Sequence, residues 1–246
     1  MTEDVKAPAP VVRYAVRAGV ATITFDRPEA RNALNEAMVA QADAALTTAE
    51  EDPEIAAIVV TGSDPAFCAG LDIREFNATG RPPAGVNDLI QRIPVLSKPT
   101  IGAINGPVMT GGLELALGLD VLIASERARF ADTHAAVGIL PGGGMTARLP
   151  RAVGSRMAME MSYTGRVIDA AEALRIGLVN HMVAHEELLP ATLAMAATIA
   201  SRDPAVLRQL KKLYQVSTTV TMGAAMAHEL RERDRRRASG QALTPR

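Results

Sequence analysis

The sequence predicts an α/β layered fold with a helical last third. Short apolar runs that end at glycine or turn residues recur through the first two thirds. Helix-period segments separate those runs, the alternation expected of strands layered against helices. Residues 185–237 read as helix almost throughout.

The elements follow in order. VVRYAV and VATITF, separated by Arg17-Ala18-Gly19, read as a β-hairpin. DRPEARNALN (26–35) supplies turn and capping residues, and a helix follows from about residue 36 to 52. IAAIVVTG (55–62) has the apolar content of a buried strand. SDPAFCAGLDIREF reads as a glycine-bearing loop, and NATGRPPAGV (77–86) is expected to be mobile. NDLIQRIPVLS is helical, started or bent by Pro94. TIGAING (100–106) is a strand, GGLELALGL a helix, and DVLIAS (120–125) a further strand. GSRMAMEMSYTG (154–165) and residues 170–176 are helical, the second opened by an Asp169-x-x-Glu172 variant of the capping box. LVNHMV is a short strand before the terminal helices, whose RERDRRR end (231–237) reads as a solvated charged face.

Composition narrows the function. The 246 residues are 48% hydrophobic and 22% charged, with a net charge of −1, so nothing electrostatic favours nucleic acid or an anionic membrane. Trp is absent and aromatics make up 3%, which argues against base-stacking surfaces. The single cysteine, Cys68, allows no internal disulfide or Cys-based zinc site, and it fits a reducing, cytoplasmic setting. It is expected to be a small buried residue rather than a nucleophile, since no activating base lies beside it in sequence. His181, His185 and His228 lack metal-ligand spacing, so no metal is expected. MTEDVKAPAP has no basic and apolar leader pattern. The apolar window 101–124 is broken by Asn105, Glu114 and five glycines, which reads as core rather than a membrane span.

Three glycine-bearing segments stand out: FCAGLD (67–72), NGPVMTGGLE (105–114) and VGILPGGG (137–144). Singly, each is an ordinary tight turn. The first two each follow a strand, and the second runs into a helix. Amides at a helix start lack intrahelical partners, and glycine leaves them open to a ligand oxygen. Two such amides from separate loops would form an oxyanion hole for a carbonyl oxygen gaining charge. Glu114 stands in a run of leucines and alanines, a placement that is costly for a carboxylate without a task or a partner.

These segments, with D-R-P-x-x-x-N-A-L at 26–34, FAD at 130–132, RLP at 148–150 and TGRVIDAAEALRIGLVN at 164–180, resemble the crotonase family, also called the enoyl-CoA hydratase/isomerase superfamily. The resemblance runs from about residue 11 to 215. It implies a crotonase-like spiral of ββα units, acyl-CoA thioester substrates, and a homotrimer or dimer of trimers. Coenzyme A enters as part of the substrate, with no prosthetic group. Residues 1–10 would be a disordered lead, 11–184 the ββα core and 185–246 a helical oligomerisation or lid region. The resemblance places the oxyanion-hole amides on Leu71 and Gly111. It sets Ala69, Gly70, Leu71, Asp72, Ile73 and Arg74 along the CoA, with Arg27 and Arg31 near its phosphates. Beyond about residue 215 the usual lid and basic terminal helix are not recognisable.

Hydratases of this family use two glutamates. Glu114 matches the first, and the second position holds His134. Glu114 and His134 would divide the acid–base work of reversible 2-enoyl-CoA hydration, and the resemblance predicts that His134→Glu raises hydratase activity. Asp132, two residues from His134, could orient that ring or merely end a strand, and the second reading is favoured. Two alternatives stay open because of His134: an acyl-CoA-binding protein with little catalysis, or an enoyl-CoA isomerase.

Overall fold

A computed structural model describes residues 10–240, so all but the last residue of the expected disordered lead, and the final six of the C-terminal region, lie outside the described residues. The chain winds as repeated turns, each carrying a long strand, a short extended segment and one or more helices. The first turn is β1 (Val12–Arg17), β2 (Val20–Phe25) and α1 (Glu36–Glu51). The second is β3 (Ala57–Gly62), α2 (Ile73–Thr79) and α3 (Val86–Arg92). The third is β4 (Thr100–Ile104), β5 (Pro107–Met109) and α4 (Gly111–Ala116). The fourth is β6 (Val121–Ser125), β7 (Arg129–Ala131), α5 (Met145–Val153) and α6 (Ser155–Thr164). Then come β8 (Ile168–Asp169), α7 (Ala170–Arg175), β9 (His181–Val183), α8 (Leu188–Ala200), α9 (Pro204–Ser217) and α10 (Met222–Ala238).

The long strands form one sheet in the order β1-β2-β3-β4-β6-β9, antiparallel at β1/β2 and parallel from there on. The short strands form a second sheet, β5-β7-β8. Single bridges continue that second layer into the earlier turns, Leu34 to Leu71 and Cys68 to Val108. This is the expected spiral. The inner strands β3, β4 and β6 are buried on both faces, so they read as nearly unbroken apolar runs rather than alternating ones. In β3, Ile58 and Val60 face the larger core and Val59 faces the smaller core against Leu188 and Ala196 of α8.

Caps set the helix starts. Asn35 accepts from the Met38 amide at 2.9 Å and opens α1. Asp169 accepts from Glu172 at 2.8 Å and opens α7, but the Glu172 carboxylate turns to Arg166 at 2.9 Å, so only half of the capping box forms.

The structure differs from the sequence reading in three places. Residues 73–79, read as loop and mobile segment, form α2, started by Asp72 accepting from Arg74 and Glu75. The short strands β5, β7 and β8 carried no signal in the apolar pattern, being two or three residues long. Helix α5 follows three glycines and contains Pro150, both of which obscure a helical pattern.

Candidate active site

The site lies where the second, third and fourth turns meet. Gly112 brings α4 close to the second turn. A Cβ there would stand 2.3 Å from the Cys68 carbonyl oxygen, so only glycine permits the approach. Gly111 is different: the nearest atoms to an added Cβ are Gly70 Cα at 3.8 Å and the Leu71 amide nitrogen at 3.9 Å. The open side of Gly111 therefore faces the Leu71 amide. Gly70 has φ +90°, and a Cβ there would meet the Met109 carbonyl at 2.9 Å, so this turn needs glycine on both counts.

Thr110 precedes Gly111 at φ 50° and ψ −108°, an uncommon backbone for a β-branched residue. Several bonds hold it there. Its amide donates to Ala131 at 2.9 Å, and its hydroxyl bonds to the Thr133 hydroxyl and accepts from the Thr133 amide. The strain lies between the Gly111 amide and the segment carrying His134, and it ties the two together.

Glu114 is 3% exposed. Its Oε1 accepts from the Gly143 amide at 2.8 Å and the Met145 amide at 3.1 Å. Its Oε2 lies 3.8 Å from His134 Nε2. The glycines of VGILPGGG make this possible, since a Cβ on Gly143 would stand 2.8 Å from Glu114 Oε2. Arg148 supports the same loop, donating to the Gly143 carbonyl at 3.2 Å. Burial lowers the Arg148 pKa from its ordinary value, and the nearby Glu114 charge partly opposes that.

His134 is also buried, and its other ring nitrogen is engaged. Nδ1 lies 2.6 Å from Asp132 Oδ1, which also accepts from the His134 amide at 3.2 Å. Ser162 of α6 donates to the second Asp132 oxygen at 2.6 Å. Asp132 thus does more than end β7, the reading the sequence favoured: its carboxylate bonds to the imidazole, as in the other reading the sequence left open. Burial pushes the Asp132 carboxyl up, but the bonds from His134 and Ser162 outweigh this and leave its pKa below the ordinary value.

Leu71, Gly111, Glu114 and His134 line one cavity of about 220 Å³, with Phe76, Val86 and Ile90 on its apolar wall. The other sequence candidates lie along the adjoining loop. Arg27 is occupied within the fold: it donates to the Ala33 carbonyl at 2.8 Å and pairs with Asp72 at 2.9 Å, its side chain only 15% exposed. Asp72 is tied in turn to the start of α2. Burial pushes its carboxyl up, but Arg27 and the α2 amides bring it below its ordinary value. Asn32 of the same motif is fully buried and donates to the Ser63 and Ala66 carbonyls. The Ala69 amide donates to the Arg31 carbonyl at 3.1 Å, and the Ile73 side chain is exposed. The Arg31 and Arg74 guanidinium groups are exposed and have no partner among the described residues. Cys68 is fully buried, which pushes its thiol up to about 12 and leaves it protonated at neutral pH.

The sequence pattern of the enoyl-CoA hydratase/isomerase family matches residues 15–236. The chain belongs to that family. Members with similar sequences include a probable enoyl-CoA hydratase of Mycobacterium leprae, 38% identical over 86% of this chain and 84% of that protein. A crotonyl-CoA hydratase of Syntrophomonas wolfei is 38% identical over 85% of this chain and 83% of its own length. The crystal structure of an enoyl-CoA hydratase from Mycobacterium tuberculosis superposes with a TM-score of 0.79 at 43% identity, covering 89% of this chain and 95% of that one. As a member of the enoyl-CoA hydratase/isomerase family, the chain carries its buried Glu114 and His134 in one cavity. Among the described residues no helix is long and apolar enough to cross a membrane.

Proposed function

We propose that the protein hydrates 2-enoyl-CoA thioesters. The observation that carries this reading is one cavity holding two facing acid–base groups, Glu114 and His134, beside two backbone amides on adjoining loops. The Leu71 and Gly111 amides take the thioester oxygen as it gains enolate charge. Glu114 has only Oε2 free, because both donors to it reach Oε1. A carboxylate only accepts, so Oε2 takes a proton from water as its oxygen bonds to the β-carbon. His134, with Nδ1 held by Asp132, reacts as the imidazolium and gives the Nε2 proton to the α-carbon, leaving the neutral ring protonated at Nδ1. One water is consumed: its hydroxyl goes to the β-carbon, its proton to Glu114. Return of a proton from Glu114 to His134 restores the pair.

Coenzyme A belongs to the substrate in this reading. Of the arginines named above, Arg31 and Arg74 are left free for its phosphates, whereas Arg27 serves the loop that carries Asp72. Assembly into trimers or dimers of trimers is supported by apolar side chains exposed on α9 and α10, among them Tyr214, Met222 and Met226. A cytoplasmic setting fits the lone, buried thiol.

The test is the loss of enoyl absorbance from crotonyl-CoA. Wild-type protein is expected to turn over, and Glu114→Gln to lower kcat by ~10²–10⁴-fold. Tight crotonyl-CoA binding without turnover would replace hydration by an acyl-CoA-binding role. Turnover undiminished in Glu114→Gln would remove Glu114 from the chemistry.

A further inference from the structure

The acid–base pair does not end at His134. Behind it runs a chain of short hydrogen bonds into a separate part of the fold. Ser162 Oγ lies 2.6 Å from Asp132 Oδ2, and Asp132 Oδ1 lies 2.6 Å from His134 Nδ1. His134 Nε2 then faces Glu114 Oε2 at 3.8 Å. Asp132 is 1% exposed, and Ser162 half-buried, at a groove between α5 and α6 that the reaction cavity does not include. Three elements thus converge on one imidazole: the end of β7, helix α6 and helix α4.

We propose that Asp132 and Ser162 are positioning residues that hold His134 in a single tautomer, with the Nδ1 proton committed to Asp132 and Nε2 presented to Glu114 and the substrate. This rests on the reading of His134 as an acid–base group, and it adds residues that do not touch substrate. The physical reasoning is direct. An ionised carboxylate accepts only, so the nitrogen facing it must carry the proton. Nε2, 3.8 Å from the Glu114 carboxylate, lies beyond hydrogen-bond distance and is free to give or take a proton at the cavity. The carboxylate also stabilises the imidazolium formed whenever Nε2 is protonated. Ser162 fills the second oxygen of Asp132 and stops the carboxylate from rotating away from the ring. The charged groups that face this chain are Glu114 from α4 and Arg148 from α5, whose guanidinium lies near Glu114.

A glutamate at position 134 needs no such support, and here it would oppose Asp132. The Asp132–His134–Ser162 set therefore works as a unit suited to imidazole at this position.

Two measurements test the proposal. The first needs no turnover. With four histidines in the chain, ¹⁵N spectra of the full-length protein can be assigned by loss of one signal in His134→Gln. Recorded at a pH where the ring is neutral, the expected signal is the tautomer protonated at Nδ1. A neutral ring protonated at Nε2, or a mixture of the two, would overturn the proposal. The second is the pH profile of crotonyl-CoA hydration. Asp132→Asn is isosteric but uncharged, so kcat is expected to fall ~10²-fold or more while KM changes little. The alkaline limb of kcat should move to lower pH, because the imidazolium loses its anion. Ser162→Ala should move the same limb in the same direction by less, which keeps the test available if Asp132→Asn does not fold. An unmoved limb in both variants would overturn the relay. If wild-type protein shows the Nδ1-protonated ring but no hydration, the assigned reaction fails while the positioning stands.

Discussion

Gly111→Ala and Gly112→Ala separate chemistry from packing within one dipeptide. Neither glycine has a positive φ, so alanine is accepted by the backbone at both. At Gly112 the new methyl would stand 2.3 Å from the Cys68 carbonyl oxygen and 2.9 Å from Cys68 Cβ. Ordinary contact begins near 3.4 Å, so the two chains must part by about 1 Å. Cys68 has no room to retreat, since its amide donates to Pro107 and its carbonyl accepts from Met109 at 3.0 Å. Overpacking of this kind costs about 1–3 kcal/mol, and each kcal/mol lowers Tm by roughly 2–4 °C in a protein of this size. At Gly111 the nearest atom is 3.8 Å away, so stability should change by no more than ~0.5 kcal/mol. The methyl would nevertheless stand 3.9 Å from the Leu71 nitrogen, crowding the oxygen that both amides are proposed to hold. Alanine keeps the amide, so the fall comes from an oxygen pushed off its donors, and complete loss of one donor would lower kcat by ~10²–10³-fold. Thermal unfolding and crotonyl-CoA turnover, measured on both variants, check the pair. Wild-type kcat in Gly111→Ala would refute the placement of the oxygen beside the Gly111 Cα. Wild-type Tm in Gly112→Ala would refute the close approach.

Two further outcomes follow. His134→Glu, which the family resemblance marks as a gain of activity, is instead expected to lower it, because the new carboxylate would stand against Asp132. The double variant with Asp132→Asn should recover part of the loss, and a single variant faster than wild type would contradict this. Cys68 supplies an alkaline signature. Its folded pKa, about 12, is above the unfolded value, so stability is complete below about 9 and falls as pH rises toward about 12, at ~1.4 kcal/mol per pH unit. Cys68→Ala should flatten that slope in denaturant titrations. A thiol reagent should label Cys68 only on unfolding, and prompt labelling of native protein would show the burial to be wrong.

The fold was legible where an element carries its own signal. β3 is apolar at nearly every position because helices cover both faces of its sheet, and α1 is announced by Asn35 and a long periodic run. The second sheet was not legible: β5, β7 and β8 are too short for a period-2 pattern and exist because successive turns of the spiral meet. α2 buries no residue, so it has no apolar stripe, although Asp72-x-x-Glu75 is a cap signal that was there to be read.

The sequence by itself determined the family, the two amide-bearing loops and the presence of Glu114 and His134, since each rests on local residue order. Tertiary structure alone decided what those residues do to one another. Asp132 and His134 are near in sequence, but whether the carboxylate turns to the ring or to solvent depends on Ser162, contributed by a helix thirty residues away. Arg27, read as a phosphate contact, is held by Asp72 across the loop. Glu114 keeps one oxygen free only because Gly143 and Met145 arrive from the fourth turn to bind the other. Such contacts join segments remote along the chain, and residue order carries no record of which side chain faces which until the chain has packed.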